Sequence, residues 1–502
     1  MGQTVERVAV GGAVDEQTER VAAGVADYLD HVVEAVRAGR RAGTPLARAV
    51  GEHLGADAGQ VPVVTHRVDR HQHVNLDVAL EALVAEHGGG TVIGVGGGDQ
   101  RHHSSFSGML QDSGRWGTFT VGAVERVSLP TGPHSQREAV SLGVHLFRYR
   151  GTPVAVLESV GEERFNNGGA TVQVAAAEGV AQDIVADLRR LVVERSVFRG
   201  QILTLGSSDD AYIPSVGGIG FHPRPTLTRQ DVVLPAGSLE RVERHVVGTA
   251  QHRDVLRAAG QHLKRGLLLY GPPGTGKTHT VRYLLGHLEG VTTVLLSGTS
   301  LRFVGEAVEL ARALEPAAVV LEDVDLVAES RDLSPDAQPL LFAVLEAMDG
   351  LGGDADVAFV LTTNRADLLE PALAQRPGRV DLAVEVPLPD DAGRRALAGL
   401  YGRGLPFGED VLEVVAARTA GMTASFFKEL VRRSVLVAAE AGHPVTEDDL
   451  RAALDELLDE RGALTRSLLG GAGGPAAPPG PGAGPYARPF GVPAEPDDGL
   501  YL

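Results

Sequence analysis

A parallel α/β sheet followed by a helical bundle is the fold class that this 502-residue sequence predicts for its middle and C-terminal half. Three observations predict it. Strand-like and helix-like runs alternate with short connections across residues 232–388. One of those apolar runs, residues 267–270, leads into Gly271-x-x-x-x-Gly276-Lys277-Thr278 and then a helical pattern. That is the strand–loop–helix order of a phosphate-binding loop. From about residue 390 to 460 the pattern is purely helical. The chain thus divides into an α+β N-terminal domain (1–205), a linker (206–231), a large α/β nucleotide-binding domain (232–389), a helical lid (390–465) and a tail (466–502).

Composition narrows the function classes. The formal net charge of −19 disfavours a nucleic-acid partner, because phosphate contacts need clustered positive charge. The chain has no cysteine, so thiol chemistry and a disulfide framework are excluded. No run of about 18 apolar residues occurs, and the start lacks the basic-then-apolar layout of a signal peptide. The expectation is a cytoplasmic protein with no membrane partner.

In the N-terminal domain, "DEQTERVAAGVADYLDHVVEAVRAG" and "GVAQDIVADLRRLVVERSV" space their apolar residues as helices do. "GVHLFRYRG" and "TPVAVLESV" alternate like two strands joined by a turn. Residues 206–230 are rich in Gly, Pro and Ser and read as a linker. The tail carries eight prolines from Pro475 onward and cannot bury a core, so it is expected to be disordered.

The loop "GPPGTGKTH" (Gly271, Pro272, Pro273, Gly274, Thr275, Gly276, Lys277, Thr278, His279) carries the chemistry. Its glycines let backbone N–H groups close around phosphate, and the following helix adds the partial positive charge of its N-terminus. Lys277 would reach the β- and γ-phosphates of ATP, and Thr278 would give a hydroxyl to Mg²⁺. About 45 residues on, "AVVLEDVDLV" is an apolar strand ending in the acids Glu322 and Asp323. Adjacent residues of a strand face opposite ways, so these acids divide two tasks. One holds the metal's water shell and the other orients the attacking water. A second apolar strand ends in Asn364, placed to touch the γ-phosphate or that water. Arg376 and Arg379 follow; they are either transition-state cations or a salt-bridged surface helix end.

These motifs together resemble the AAA family of ATPases over about residues 232–460. "GPPGTGKT" resembles its phosphate loop, "TTNRADLLEPALAQRPGRVD" its second region of homology, and "MDG" and "GMTASFFKELVRRSVLVAAE" its later motifs. The resemblance implies a ring of copies, usually a hexamer, with Arg376 and Arg379 reaching into the neighbouring subunit and Asn364 as first sensor. By that likeness Glu322 stands where the family has its magnesium-linked aspartate, and Asp323 where it has the catalytic glutamate. The reversed order also occurs in the family's mitochondrial Bcs-type branch, which is active, and implies hydrolysis. "PALAQRPGR" has one residue more than the family pattern, which leaves the register of the two arginines open.

Two further likenesses bear on what ATP would drive. Phe303-Val304-Gly305 matches the aromatic–apolar–Gly tripeptide that projects into the family's central pore and grips a polypeptide; the alternative is that Phe303 anchors the next helix. The ending Leu500-Tyr501-Leu502 resembles the docking signal of proteasome-activating ATPases, on a tether spanning on the order of 30 Å. The expected function is a ring-forming protein unfoldase or remodeller whose N-terminal domain selects substrates or adaptors and whose tail docks on a 20S proteasome. Two competitors stand beside it: a non-threading assembly chaperone for one complex, and a nucleotide-switched scaffold with negligible turnover. "HRVDRHQHVNLD" clusters His66, Asp69, His71 and His73, which reads as solvated surface rather than a metal site, and no His-Glu-x-x-His occurs.

Overall fold

A computed structural model of the chain describes residues 16–41, 43–111, 119–161, 169–206, 215–216, 218–325, 346, 350, 355–365 and 380–459. Arg376, Arg379 and the tail, with Leu500, Tyr501 and Leu502, lie outside the described residues.

The N-terminal unit opens with helices α1 (Glu16–Arg41) and α2 (Pro45–Leu54), then strand β1 (Val63–Val68) and helix α3 (His73–Glu86). There follow β2 (Gly90–Gly96), α4 (Phe106–Gln111), β3 (Thr120–Gly122), β4 (Glu125–Pro130), β5 (Gln136–Tyr149), β6 (Thr152–Val160), β7 (Ala170–Ala175) and α5 (Val180–Glu194). The strands form one antiparallel sheet in the order β1-β7-β6-β5-β2-β3, with β4 also on β5. Helices cover both of its faces. Val144 and Leu146 pack toward α2 and α4. Phe147 and Tyr149 pack toward α3 and α5. The apolar residues of "GVHLFRYRG" therefore split between two cores, since successive side chains of a strand point to opposite faces.

The second sheet comprises β8 (Ile202–Leu205), β9 (Ser215–Val216), β10 (Ile219–His222), β11 (Arg265–Tyr270), β12 (Thr292–Ser297), β13 (Ala317–Glu322), β14 (Val357–Thr363) and β15 (Leu382–Glu385). Its order is β15-β11-β14-β13-β12-β8-β10-β9. From β15 to β8 every pairing is parallel. One face carries α10 (Val304–Ala313) over Val319 and Leu321. The other carries α6 (Ser238–Glu243), which the short helices α7 (Thr249–Gln251) and α8 (Arg253–Ala258) follow in the chain, and α9 (Lys277–His287) over Ala318 and Val320. Burial on both faces is why β13 and β14 read as unbroken apolar runs.

The linker expectation for 206–231 needs correcting. This stretch contributes β9 and β10, and β8 just before it joins the same sheet instead of the N-terminal one. Glycine interrupts the pattern, but Ile219 and Phe221 alternate inward and pack with Leu203, Phe198, Leu314 and Val74 of α3. The insertion pairs the outer edge of β12, which would otherwise present open backbone groups. It also welds the two units through one apolar cluster.

Beyond the sheet lie α11 (Asp391–Tyr401), α12 (Glu409–Arg418), α13 (Ala424–Ala441) and α14 (Glu447–Leu458), around a core that includes Phe426, Phe427, Leu430 and Leu454. Asp390 caps α11 by accepting from Gly393 N at 2.7 Å, and Thr446 with Asp449 forms a capping box on α14. Among the described residues no helix is long and apolar enough to cross a membrane.

Candidate nucleotide-binding site

The carboxyl end of β11, mid-sheet, is where an open parallel sheet places a ligand crevice. Gly271 leaves the strand at φ 145°, and a Cβ there would lie 2.3 Å from Val386 O, so the turn requires glycine. Gly276 then caps α9, whose first residues are Lys277 and Thr278. The Lys277 ammonium donates to Gly271 O and Pro272 O, each at 2.8 Å, which curls the loop around its own lysine. Burial pushes the Lys277 ammonium below its ordinary pKa, and the carboxylates of Asp323 and Asp325 oppose that shift. His279 donates Nε2 to Asp231 O at 2.8 Å, tying the helix to the preceding segment.

At the end of β13 the two acids part. The Thr278 hydroxyl donates to the Glu322 carboxylate, and burial followed by the charge of Asp323 raises the Glu322 pKa. Two adjoining oxygen ligands, one hydroxyl and one carboxylate, suit a hard cation such as Mg²⁺. Asp323 has left-handed backbone, φ 51°, and its N–H donates to Thr362 Oγ1 at 2.9 Å. Its side chain lies beside Asn364, whose Nδ2 is 3.5 Å from Asp323 Oδ1. Asp323 and Asn364 line one pocket of about 380 Å³ together with Lys277 and Thr278.

The lid closes that pocket. Ser425, on the first turn of α13, donates its N–H to Gly274 O at 3.1 Å. Tyr401, Ser425 and Lys428 form the opposite wall. Lysines occur only at 264, 277 and 428, and two of the three face this pocket. Tyr401 stands near no motif in the sequence, and Lys428 lies within "GMTASFFKELVRRSVLVAAE" with no role marked for it; the packing of the lid brings both in. Beyond Thr275 a more apolar cavity of about 530 Å³ opens between Val233, Leu234, Val386 and Leu397.

Residues 267–388 match the family model for the ATPase family associated with various cellular activities (AAA). The chain carries an AAA domain. The chain is 34% identical over 251 residues to the ATP-dependent zinc metalloprotease FtsH 2 of Sphaerobacter thermophilus, covering 47% of this chain and 38% of that protein. It is 30% identical over 254 residues to the proteasome-activating nucleotidase of Methanocaldococcus jannaschii, covering 47% of this chain and 59% of that one. The Pyrococcus abyssi proteasome-activating nucleotidase is 28% identical over 335 residues, 64% of this chain and 83% of its own length. The chain therefore spans well under two thirds of the FtsH relative.

The AAA fold brings Lys277, Thr278, Glu322, Asp323 and Asn364 together, and leaves the tripeptide 303–305 on the other side of the sheet. There the structure corrects part of the pore expectation. Val304 is buried in the core under α10, so it does not project. Phe303 is half-buried, with the Arg302 guanidinium 4.7 Å from its ring centre. It lines a cleft of about 460 Å³ against Asp69 and His71 of the N-terminal unit. Among the described residues no group of three or more His, Cys, Asp or Glu is placed to hold a metal ion.

Proposed function

We propose that this chain binds Mg·ATP in the pocket between the AAA sheet and lid, hydrolyses it, and uses the cycle to unfold or remodel proteins as a ring. The observation that carries the reading is the convergence of Lys277, Thr278, Asp323 and Asn364 around one cavity, with the Glu322 carboxylate held on the Thr278 hydroxyl from outside it. Lys277 and the loop amides hold the phosphates, and Thr278 and Glu322 hold Mg²⁺, which would neutralise the developing charge on the transferred group. Asp323 and Asn364 orient the attacking water. The apolar cavity beyond Thr275 offers room for the base.

Ring formation, with Arg376 and Arg379 completing a neighbour's site, follows the family likeness. The names of the proteasome-activating relatives and the Leu500-Tyr501-Leu502 ending support docking on a 20S particle. Phe303, half-buried against the N-terminal unit, favours a second reading, a non-threading assembly chaperone. The deciding assay follows degradation of a tagged folded protein by full-length chain with and without a 20S core. ATP-dependent loss that needs residues 500–502 and Phe303 supports threading into a proteasome. Turnover of ATP without substrate loss supports the chaperone, and absence of turnover leaves the nucleotide-switched scaffold.

A further inference from the structure

Asp325 is buried, and its carboxylate is the hub of the site's second layer. Its Oδ1 accepts from Thr363 Oγ1 at 3.0 Å and from the backbone N–H of Asn364 at 3.0 Å. Its Oδ2 accepts from Asn364 Nδ2 at 3.3 Å. The same Nδ2 faces Asp323 Oδ1 at 3.5 Å. Ionised carboxylates only accept, so an amide set between two of them has one satisfactory orientation. The NH₂ group must point at Asp323 and Asp325, and no hydrogen bond among the described residues uses the Asn364 Oδ1.

We propose that Asp325 is a positioning residue that fixes the Asn364 amide, so that Asn364 offers an acceptor, Oδ1, to the attacking water. The inference rests on the proposed hydrolysis at this site and deepens it. With the NH₂ spent on two carboxylates, Asn364 takes one proton of the water in a hydrogen bond while Asp323 receives the other. The water's lone pair is then directed at the γ-phosphate, and positioning of this kind is what phosphoryl transfer chiefly asks of a protein.

The test exchanges donor and acceptor. In Asp325→Asn the new amide keeps its oxygen under Thr363 and the Asn364 N–H, and puts an NH₂ against the NH₂ of Asn364. Asn364 must then flip and present its oxygen to Asp323. The expected result is a fall in kcat of at least about 10-fold with KM for ATP changed less than about 2-fold. Asn364→Asp alone sets three carboxylates together and is expected to be inactive. Combined as Asn364→Asp/Asp325→Asn, the pair regains a donor at 325, but an oxygen of residue 364 still faces Asp323, so the double variant is expected to stay at or below the kcat of Asp325→Asn. Wild-type kcat in Asp325→Asn would overturn the proposal, as would a double variant restored to wild-type kcat, or loss of ATP affinity in parallel with kcat. Wild-type turnover tests the hydrolysis reading separately. Were there none, hydrogen exchange of the Asn364 side-chain amide, slow in wild type and faster in Asp325→Asn, would still decide the orientation; equal rates would overturn it.

Discussion

Glu322 and Asp323 are neighbours in sequence but open onto different cavities. Asp323 lines the nucleotide pocket with Lys277 and Asn364. Glu322 lines a cavity of about 600 Å³ on the other side of α9, toward β8 and β10. Arg282 borders both and lowers the pKa of Glu322, against the burial that raises it. The end of β13 thus parts the two acids: Glu322, its last residue, meets Thr278, while Asp323 turns out of the strand at φ 51° toward Asn364. In the proposed function the first would hold the metal and the second would orient the water. Asp323→Asn is expected to cut ATP turnover by about 100-fold or more while leaving affinity for Mg·ATP within a factor of about two. Glu322→Gln is expected to weaken Mg²⁺ dependence as well as turnover. Steady-state kinetics with a Mg²⁺ titration separate the two, and identical phenotypes would refute the division.

The reversed acid order has a backbone reason. Position 323 sits at φ 51°, a region where Asp and Asn are several-fold enriched over other non-glycine residues. Their short polar side chains relieve part of a penalty of roughly 1–2 kcal/mol. Asp323→Glu is therefore expected to lose about 1 kcal/mol of stability by denaturant unfolding, whereas Asp323→Asn loses little. Equal stability of the two variants would remove this account of the order.

Lys428 is expected to act on bound nucleotide from the lid. It lies three residues after Ser425, on the same face of α13, and borders the pocket opposite Lys277. An exposed cation contributes at most about 1 kcal/mol, so Lys428→Ala should weaken ATP binding by up to roughly 5-fold. The loss should shrink at high salt. Calorimetric titration of ATP at two ionic strengths reads both, and unchanged affinity at low salt would exclude the contact.

A buried acid in the N-terminal unit predicts a pH effect. Glu158 is fully buried; His145 Nε2 donates to its Oε2 at 3.0 Å, while its Oε1 has no hydrogen-bond partner and lies 3.8 Å from His73 Nε2. Burial raises the Glu158 pKa, with His145 opposing. A folded-state value above the unfolded one, near 4.3, favours folding at pH below the unfolded value. That contribution is lost as pH rises through the raised one. Glu158→Gln should therefore raise the melting temperature at pH 8 relative to wild type, by an amount matching about 1–3 kcal/mol, and change it little at pH 4. The same shift at both pH values would show that charge is not the cause.

Local motifs account for how much of this is legible in the sequence. The phosphate loop is contiguous, and its strand, glycines and helix start occupy one stretch, so Gly271 to Thr278 can be placed by reading along the chain. Glu322, Asp323 and Asn364 are legible because each ends an apolar strand. Asp325 stands two residues from Asp323, yet its role appears only when β14 brings Thr363 and Asn364 beside it. Tyr401 is invisible until the lid folds over the loop, and Lys428, though inside a quoted motif, has no visible role until then. The insertion β8–β10 escapes because glycine and proline punctuate it, although Ile219 and Phe221 are buried in a core. Val304 misleads for the opposite reason: a motif match says nothing about which way a side chain points.

The most direct measurement is calorimetric titration of Mg·ATP into full-length wild type and Lys277→Ala. The account predicts saturable binding by wild type and an affinity lower by roughly 10- to 100-fold without the ammonium, the worth of a charge-assisted contact. Failure of wild type to bind Mg·ATP, or equal affinity in the two proteins, would contradict it.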